Sequence, residues 1–128
     1  MKIDDTKALL AKYRELDFEK GVVKHTLSAQ YTEEVQKRLN TILSQLEILD
    51  KCLGILNPDE MFIIKNRILL NKKWESVVEL YKETFGQENA KAERTLKHIQ
   101  ANALEKIYIL IVKTNTMSYL DDIFHTDT

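Results

Sequence analysis

The chain has 128 residues, a formal net charge of −1, one proline, three glycines and a single cysteine. This length suits one domain with or without an extension. The near-neutral balance argues against nonspecific coating of nucleic acid but allows a local basic patch. Because Cys52 is the only cysteine, the chain cannot form an internal disulfide, which fits a reducing cytoplasm. The N-terminus lacks the features of a signal peptide, and the longest apolar run, residues 107–112, is far too short to span a bilayer.

The first predicted helix covers residues 6–28. Thr6 follows two aspartates and is a suitable N-cap. Gly21, next to Lys20, weakens the middle of this helix and predicts a kink or a break there. The apolar positions that predict its buried face are Leu9, Tyr13, Leu16, Val23 and Leu27.

A heptad seam marks the second predicted helix, residues 32–56. Seven apolar residues recur at alternating spacings of four and three: Val35, Leu39, Ile42, Leu46, Leu49, Leu53 and Leu56. One interpretation is packing on neighbouring helices of the same chain, and the other is self-association as a coiled coil. Cys52 lies beside the seam, and we interpret it as a small apolar residue rather than a nucleophile.

The third predicted helix has the clearest start in the chain. Asn57 is a good N-cap, Pro58 suits the first helical position, and Glu60 completes a capping-box pattern. Residues 71–73 predict a break, and a fourth helix follows over residues 74–84. Gly86 is expected to end the fourth helix in a left-handed C-cap.

The fifth predicted helix begins near Glu88 or Asn89 and continues to about Lys113. The run at residues 107–112 is kept helical because Ile107 and Ile111 continue one apolar stripe. Residues from 114 onward form an acidic tail with one apolar cluster. The cluster predicts either a final turn that folds back onto the domain or a docking peptide for a partner. Its members are Tyr119, Leu120, Ile123 and Phe124.

One face of the fifth helix is a candidate for reading DNA bases. Arginine and lysine pair with guanine edges or phosphates, and alanine contacts a thymine methyl. The alternative is the solvated face of an ordinary amphipathic helix. Residues 57–113 hold ten basic and eight acidic side chains, so the segment is only mildly positive. The candidate residues on this face are Lys91, Arg94, Lys97, His98 and Ala101.

Lys72 and Lys73 precede the fourth helix, where DNA phosphates lie in a helix-turn-helix complex. Lys82, near the end of that helix, has the same candidate role. Trp74 is interpreted as a core anchor in preference to a base-stacking residue.

The sequence singles out no catalytic, metal or cofactor site. The three histidines, His25, His98 and His125, lie far apart without ligand spacing. There is no glycine-rich phosphate loop and no nucleophile with an accompanying base. We therefore expect neither enzymatic activity nor a bound cofactor.

Several short stretches resemble a known family. They are residues 6–14 (TKALLAKYR), 56–60 (LNPDE), 63–67 (IIKNR), 74–78 (WESVV), 93–97 (ERTLK) and 103–107 (ALEKI). This set resembles region 4 of bacterial sigma factors, and more closely the ArpU/RinA-like regulators of phage late genes. One difference from such modules is that Gly86 precedes Thr95 by nine residues, about one helical turn more than expected. Either the turn is enlarged or the helix begins earlier, at Asn89.

Caps and periodicities together predict an all-α fold. The resemblance implies that residues 1–56 form a helical hairpin or coiled coil that dimerises or contacts RNA polymerase. It implies that residues 57–113 form a three-helix helix-turn-helix module that binds double-stranded DNA, followed by the acidic tail, 114–128. The function implied is cytoplasmic regulation of phage or prophage late genes. The near-neutral charge, the heptads and the tail favour an alternative, a helical protein that binds another protein and no DNA.

Overall fold

A computed structural model describes residues 3–114, and within that range the chain forms helices and turns with no β-strand. Its α-helices are α1 (Ile3–Ala29), α2 (Glu33–Leu53), α3 (Pro58–Ile63), α4 (Trp74–Phe85) and α5 (Glu93–Lys113). A π-helical segment, Ile64–Leu69, continues α3, and a 3₁₀ turn, Gln87–Asn89, lies between α4 and α5. The predicted all-α fold with five helices is confirmed.

No helix between residues 3 and 114 combines the length and apolarity that crossing a membrane requires. The predicted tail and its apolar cluster lie almost wholly outside the described residues, because only Thr114 belongs to both.

Helices α1 and α2 pack side by side in opposite directions. Arg38 forms a bidentate ion pair with Glu19: Nη2 donates to both carboxylate oxygens at 2.6 and 2.7 Å, and Nε donates to Oε1 at 3.0 Å. Nearer the other end, the Tyr13 hydroxyl donates to Asp50 Oδ1 at 2.7 Å, which raises the pKa of Tyr13 to about 12. The pairing of early α1 residues with late α2 residues shows that the two helices form an antiparallel hairpin.

The expected N-cap at Thr6 and the expected break at Gly21 are both absent from α1. Thr6 does not cap the helix, because α1 begins at Ile3 and the Thr6 side chain is fully buried within the helix. Gly21 produces no break, since α1 continues through it to Ala29. A glycine inside a helix costs only about 1 kcal/mol. Leu16 and Val23, which lie on either side of Gly21, pack against the main core, and this packing offsets the cost.

The heptad seam of α2 packs inside the chain. Leu39, Ile42, Leu46, Leu49 and Leu53 are each exposed by 7 % or less. Most of them join one main core with α1, the π-helical segment and α5. The seam therefore packs within the chain, as the intramolecular interpretation predicts, and its buried side chains leave little apolar surface for a coiled coil with a second copy. Cys52 is buried beside the seam, and desolvation raises the pKa of its thiol.

Helix α2 ends at Leu53, three residues earlier than predicted, and Thr32 caps its start through Val35 N–H. The start of α3 is as predicted. Asn57 Oδ1 accepts from Glu60 N–H at 2.9 Å, and Glu60 Oε1 accepts from Asn57 N–H at 3.0 Å. This reciprocal pair is a complete capping box.

The Glu60 carboxylate also ties α3 to α5. Lys106 Nζ lies 2.7 Å from Glu60 Oε1, and the Glu60 side chain is almost wholly buried. Burial alone raises the pKa of this carboxyl. Hydrogen bonds from Lys106 and the Asn57 backbone, together with the Lys106 charge, outweigh burial and lower it below the usual 4.5. Ionised Glu60 therefore stabilises the fold above that ordinary pKa, and the contribution is lost as the pH falls through its lowered value in the folded state.

Replacing Glu60 with glutamine is expected to reduce the free energy of unfolding by about 1–3 kcal/mol at neutral pH, because a buried charge-assisted bond is lost. Part of the stability that the wild type loses in acid should already be absent in the variant, so its pH dependence should be weaker. Urea unfolding at neutral and acidic pH measures both effects. The control is Glu47→Gln, whose ion pair with Lys51 is on the surface and should change stability by less than about 1 kcal/mol. Equal losses in the two variants would contradict this assignment.

Helix α5 joins two hydrophobic cores. Its C-terminal half contributes Ala103, Leu104, Ile107 and Ile111 to the main core beside α1 and α2. Its N-terminal half contributes Leu96 to a small core that contains Ile63 of α3 with Val77 and Tyr81 of α4. The predicted helical state of residues 107–112 is confirmed. Because α5 is fixed at both ends, the orientation of its N-terminal half is set by the whole fold.

Candidate nucleic-acid interface

The segment before α4 is a short, hydrogen-bonded turn. The π-helical segment ends with Leu70 N–H donating to Lys65 O at 2.8 Å, and Asn71 takes a positive φ of 53°. Asparagine tolerates this left-handed conformation better than most residues. Arg67 Nη1 then donates to Lys72 O at 3.0 Å. The predicted break at residues 71–73 is confirmed, and it fixes Lys72 and Lys73 at the N-terminal end of α4.

Helix α4 is held by aromatic packing on its inner side. Tyr81 lies edge-on to Phe62 of α3 at a centroid distance of 5.6 Å and contacts Phe85 at 4.5 Å. Burial, together with the neighbouring Asp59, raises the pKa of the Tyr81 phenol. Val77 and Tyr81 meet Leu96 of α5 in the small core. These contacts fix α4 against α5.

The connection between α4 and α5 differs from the prediction. Gly86 ends α4 at φ 97° and ψ 153°, which is an extended conformation with positive φ and not the left-handed helical C-cap. Asn89 does not start α5 but ends a 3₁₀ turn, and its side-chain amide donates back to Phe85 O at 2.7 Å. Helix α5 begins only at Glu93, after the extended residue Ala92. The long spacing between Gly86 and Thr95 is thus an enlarged turn.

The N-terminal half of α5 exposes most of the predicted face. Arg94, Lys97, His98 and Ala101 are all exposed. Leu96, on the opposite side, is fully buried in the small core, and Ile99 packs against that core. The structure therefore brings four of the five predicted α5 residues onto one solvent-facing surface.

Lys91 does not belong to this surface. It lies two residues before α5, and its Nζ sits 5.7 Å from the centroid of the Tyr81 ring. Its expected position on α5 is wrong, because the helix was predicted to start at Glu88 or Asn89 and starts at Glu93. An earlier start would have given Lys91 the helical register of Arg94.

Trp74, the first residue of α4, lies between the turn that carries Lys72 and Lys73 and the exposed surface of α5. Its ring lies 5.2 Å from the Arg67 guanidinium carbon and 5.8 Å from Lys97 Nζ, both within cation–π range. Trp74 also packs against the small core, which confirms its interpretation as a core anchor. The sequence analysis did not identify Arg67 as a site residue, because no local pattern shows that a residue seven positions before Trp74 reaches its ring. We name Lys72, Lys73, Arg94, Lys97, His98 and Ala101 the basic face.

Acidic residues limit the basic face. Glu93 forms an ion pair with Lys97 at 3.0 Å, and Lys82, a further predicted phosphate contact, pairs with Glu79 at 3.2 Å. Glu75, Glu79 and Glu83 are exposed on the side of α4 away from Val77 and Tyr81. This second surface, the acidic face, was readable in the sequence as three glutamates at spacings of four. Lys72 and Lys73 line one concave surface together with these three glutamates, whose charge would repel phosphate.

Among residues 3–114 there is no group of three His, Cys, Asp or Glu side chains that could hold a metal ion. Comparison of the chain with protein-family models, curated proteins and solved structures returned no match.

Proposed function

We propose that this protein is a sequence-specific DNA-binding transcriptional regulator, with α4 and α5 acting as a helix-turn-helix. One observation carries the proposal. The N-terminal half of α5 packs on α4 through Leu96 and Ile99, while Arg94, Lys97, His98 and Ala101 are exposed on its other side. A helix held along one side with basic residues facing solvent is the arrangement that enters a DNA major groove.

The roles of the two parts of the basic face differ. Arg94 and Lys97 would pair with base edges, and Ala101 would meet a thymine methyl, so these residues would give sequence preference. Lys72 and Lys73 would contact phosphates, which orient the protein without selecting a sequence. Arg67 would hold Lys72 beside the start of α4, because it donates to the Lys72 carbonyl oxygen and lies over the Trp74 ring.

The resemblance to ArpU/RinA-like regulators supports a role at phage or prophage late genes in the cytoplasm. In that setting the α1–α2 hairpin would contact RNA polymerase or a second subunit. Neither contact is needed for the chemistry of the basic face, which would work by equilibrium binding alone.

A second candidate function is favoured by the acidic face. Three exposed glutamates on one side of α4 suit a basic protein partner better than a nucleic acid. On this alternative the protein acts by binding another protein, and the exposed residues of α5 form an ordinary solvated surface.

DNA titration separates the two functions. Preferred duplexes would be selected from a pool with a randomised centre, and binding of the selected duplex would be followed by fluorescence anisotropy. We expect affinity to fall by at least about tenfold between roughly 50 and 200 mM salt, because lysine–phosphate contacts release counterions. If no duplex is enriched and no salt-sensitive binding occurs at the lower salt, the protein-binding function replaces the DNA-binding one.

A further inference from the structure

The distal part of the α1–α2 hairpin, residues 17–38, contains no buried side chain. We call it the arm. Only a few of its side chains, among them Val23, Leu27 and Val35, are even partly covered, and the Arg38–Glu19 ion pair links its two helices. Helices in proteins depend on tertiary packing for most of their stability. The arm therefore lacks the core that would normally hold a helical pair together.

The outer side of α1 exposes large apolar side chains in this region. Phe18 is 75 % exposed and Val22 is 50 % exposed, and they are adjacent on the helix surface at a spacing of four. Leu9 and Leu16, in contrast, point into the main core. Helix α1 thus has apolar residues on two opposite sides, and only the inner side has a partner in the described structure.

The outer residues follow a second heptad seam. Alternating spacings of four and three connect Ala11, Glu15, Phe18, Val22, His25 and Ala29, all of which are exposed. This spacing is the pattern of a helix that packs along another helix. The seam covers residues 11–29, which corresponds to about 27 Å of helix.

The outer seam is complementary to itself when reversed. Its positions are symmetric about residue 20, so an antiparallel second copy places Phe18 on Val22, Glu15 beside His25 and Ala11 on Ala29. An aromatic residue meets an aliphatic one, and small residues meet at the ends. Glu15, which pairs with Lys12 of its own chain at 3.3 Å, also lies beside the imidazole of His25. Lys20 does not obstruct the centre, because it lies on the other side of α1, where its Nζ pairs with Asp17 Oδ1 at a distance of 3.2 Å. Nothing lies within 4 Å of a Cβ built on Gly21, so backbone approach near the centre is open.

We propose that two copies of this chain associate through the outer seam of α1, antiparallel and around a two-fold axis near residue 20. The same patch serves both subunits, as in other isologous interfaces. The two arms then form a four-helix arrangement whose core includes Phe18 and Val22 of both copies. The proposal does not depend on DNA binding, and it replaces the α2 seam, which is used inside the chain.

Sedimentation velocity of the full chain over a range of concentrations tests the association. Wild type should shift from monomer to dimer as concentration rises. Phe18→Glu should raise the dimer dissociation constant by roughly 100-fold or more, because it removes a buried ring and sets a carboxylate against an aliphatic side chain. Leu43→Glu is the matched control, since Leu43 is another exposed apolar residue, 40 % exposed, on α2. It should leave the dimer unchanged, and circular dichroism should show both variants helical.

Charge exchange tests the register. His25→Glu places two glutamates together at each end of the seam and should weaken the dimer by about tenfold. Adding Glu15→Lys to that variant should restore the dimer, because each new glutamate then faces a lysine of the other copy. A monomeric wild type at every concentration would overturn the proposal. So would a Phe18→Glu protein that dimerises like wild type, or a folded double variant that does not regain the dimer.

Discussion

Replacing Leu49 with alanine is expected to lower the free energy of unfolding by about 2–5 kcal/mol, the range found for truncating a fully buried leucine. Leu49 is completely buried on the α2 seam and belongs to the main core shared with α1 and α5. The substitution leaves a cavity in the packing that connects all three helices. Urea unfolding followed by circular dichroism measures the loss.

Leu43→Ala is the control for this prediction. It makes the same chemical change on the same helix, but Leu43 is 40 % exposed and lies off the seam. Its cost should be about 1 kcal/mol or less, because little apolar area returns to water. The intramolecular assignment of the seam would fail if the two variants lost equal stability, or if Leu49→Ala kept its stability and only dissociated a dimer.

Replacing Arg94 with alanine is expected to weaken binding to the selected duplex by about 1–3 kcal/mol, or roughly 5- to 160-fold, if Arg94 pairs with a base edge. The loss should be smaller on unrelated duplexes, because only the sequence-reading contact is removed. Arg94 is exposed and contributes to neither core, so the variant should unfold at the same urea concentration as wild type.

The matched control is Arg14→Ala, which removes an exposed arginine from α1, away from the basic face. Its DNA affinity should equal that of wild type. Lys73→Ala should behave differently from both, weakening all duplexes alike and reducing the slope of affinity against salt by about one. Tight binding of the selected duplex by a folded Arg94→Ala, Lys97→Ala double variant would exclude α5 as the reading helix.

Local signals in the sequence predicted much of the fold. The capping box at Asn57 and Glu60 depends on residues three apart, so its two hydrogen bonds could be anticipated without knowledge of the rest. The positions of Lys72, Lys73 and Trp74 followed from the break before α4. Periodicity identified α5 up to Lys113 and most of its buried residues, but it missed Leu104 and included Ile99, which is only partly buried.

Errors arose where two local signals competed. Asn89 suits either the start of α5 or the end of α4, and in the structure its amide goes to the Phe85 carbonyl. Helix α5 starts only at Glu93, so Lys91 lies before the helix and outside the basic face. Likewise, Gly21 weakens a helix locally, but packing of α1 on the main core decides its continuity.

Other features depend on contacts between distant residues. A heptad seam has the same pattern whether its partner is the same chain or another one, so the sequence left both interpretations of α2 open. The approach of Arg67 and Lys97 to Trp74 joins three elements and has no sequence pattern of its own. The outer seam of α1 becomes visible as unpartnered only after Leu9 and Leu16 are seen to fill the main core.

The central claim is that the basic face binds duplex DNA, and amide chemical-shift mapping tests it most directly. Labelled protein would be titrated with the selected duplex at low salt, with Glu79 and Glu83 of the acidic face as internal references. We predict that the largest changes fall at residues 72–73 and 93–101, while the acidic face and the arm change little. Changes centred on the acidic face, or no changes at all, would contradict the claim.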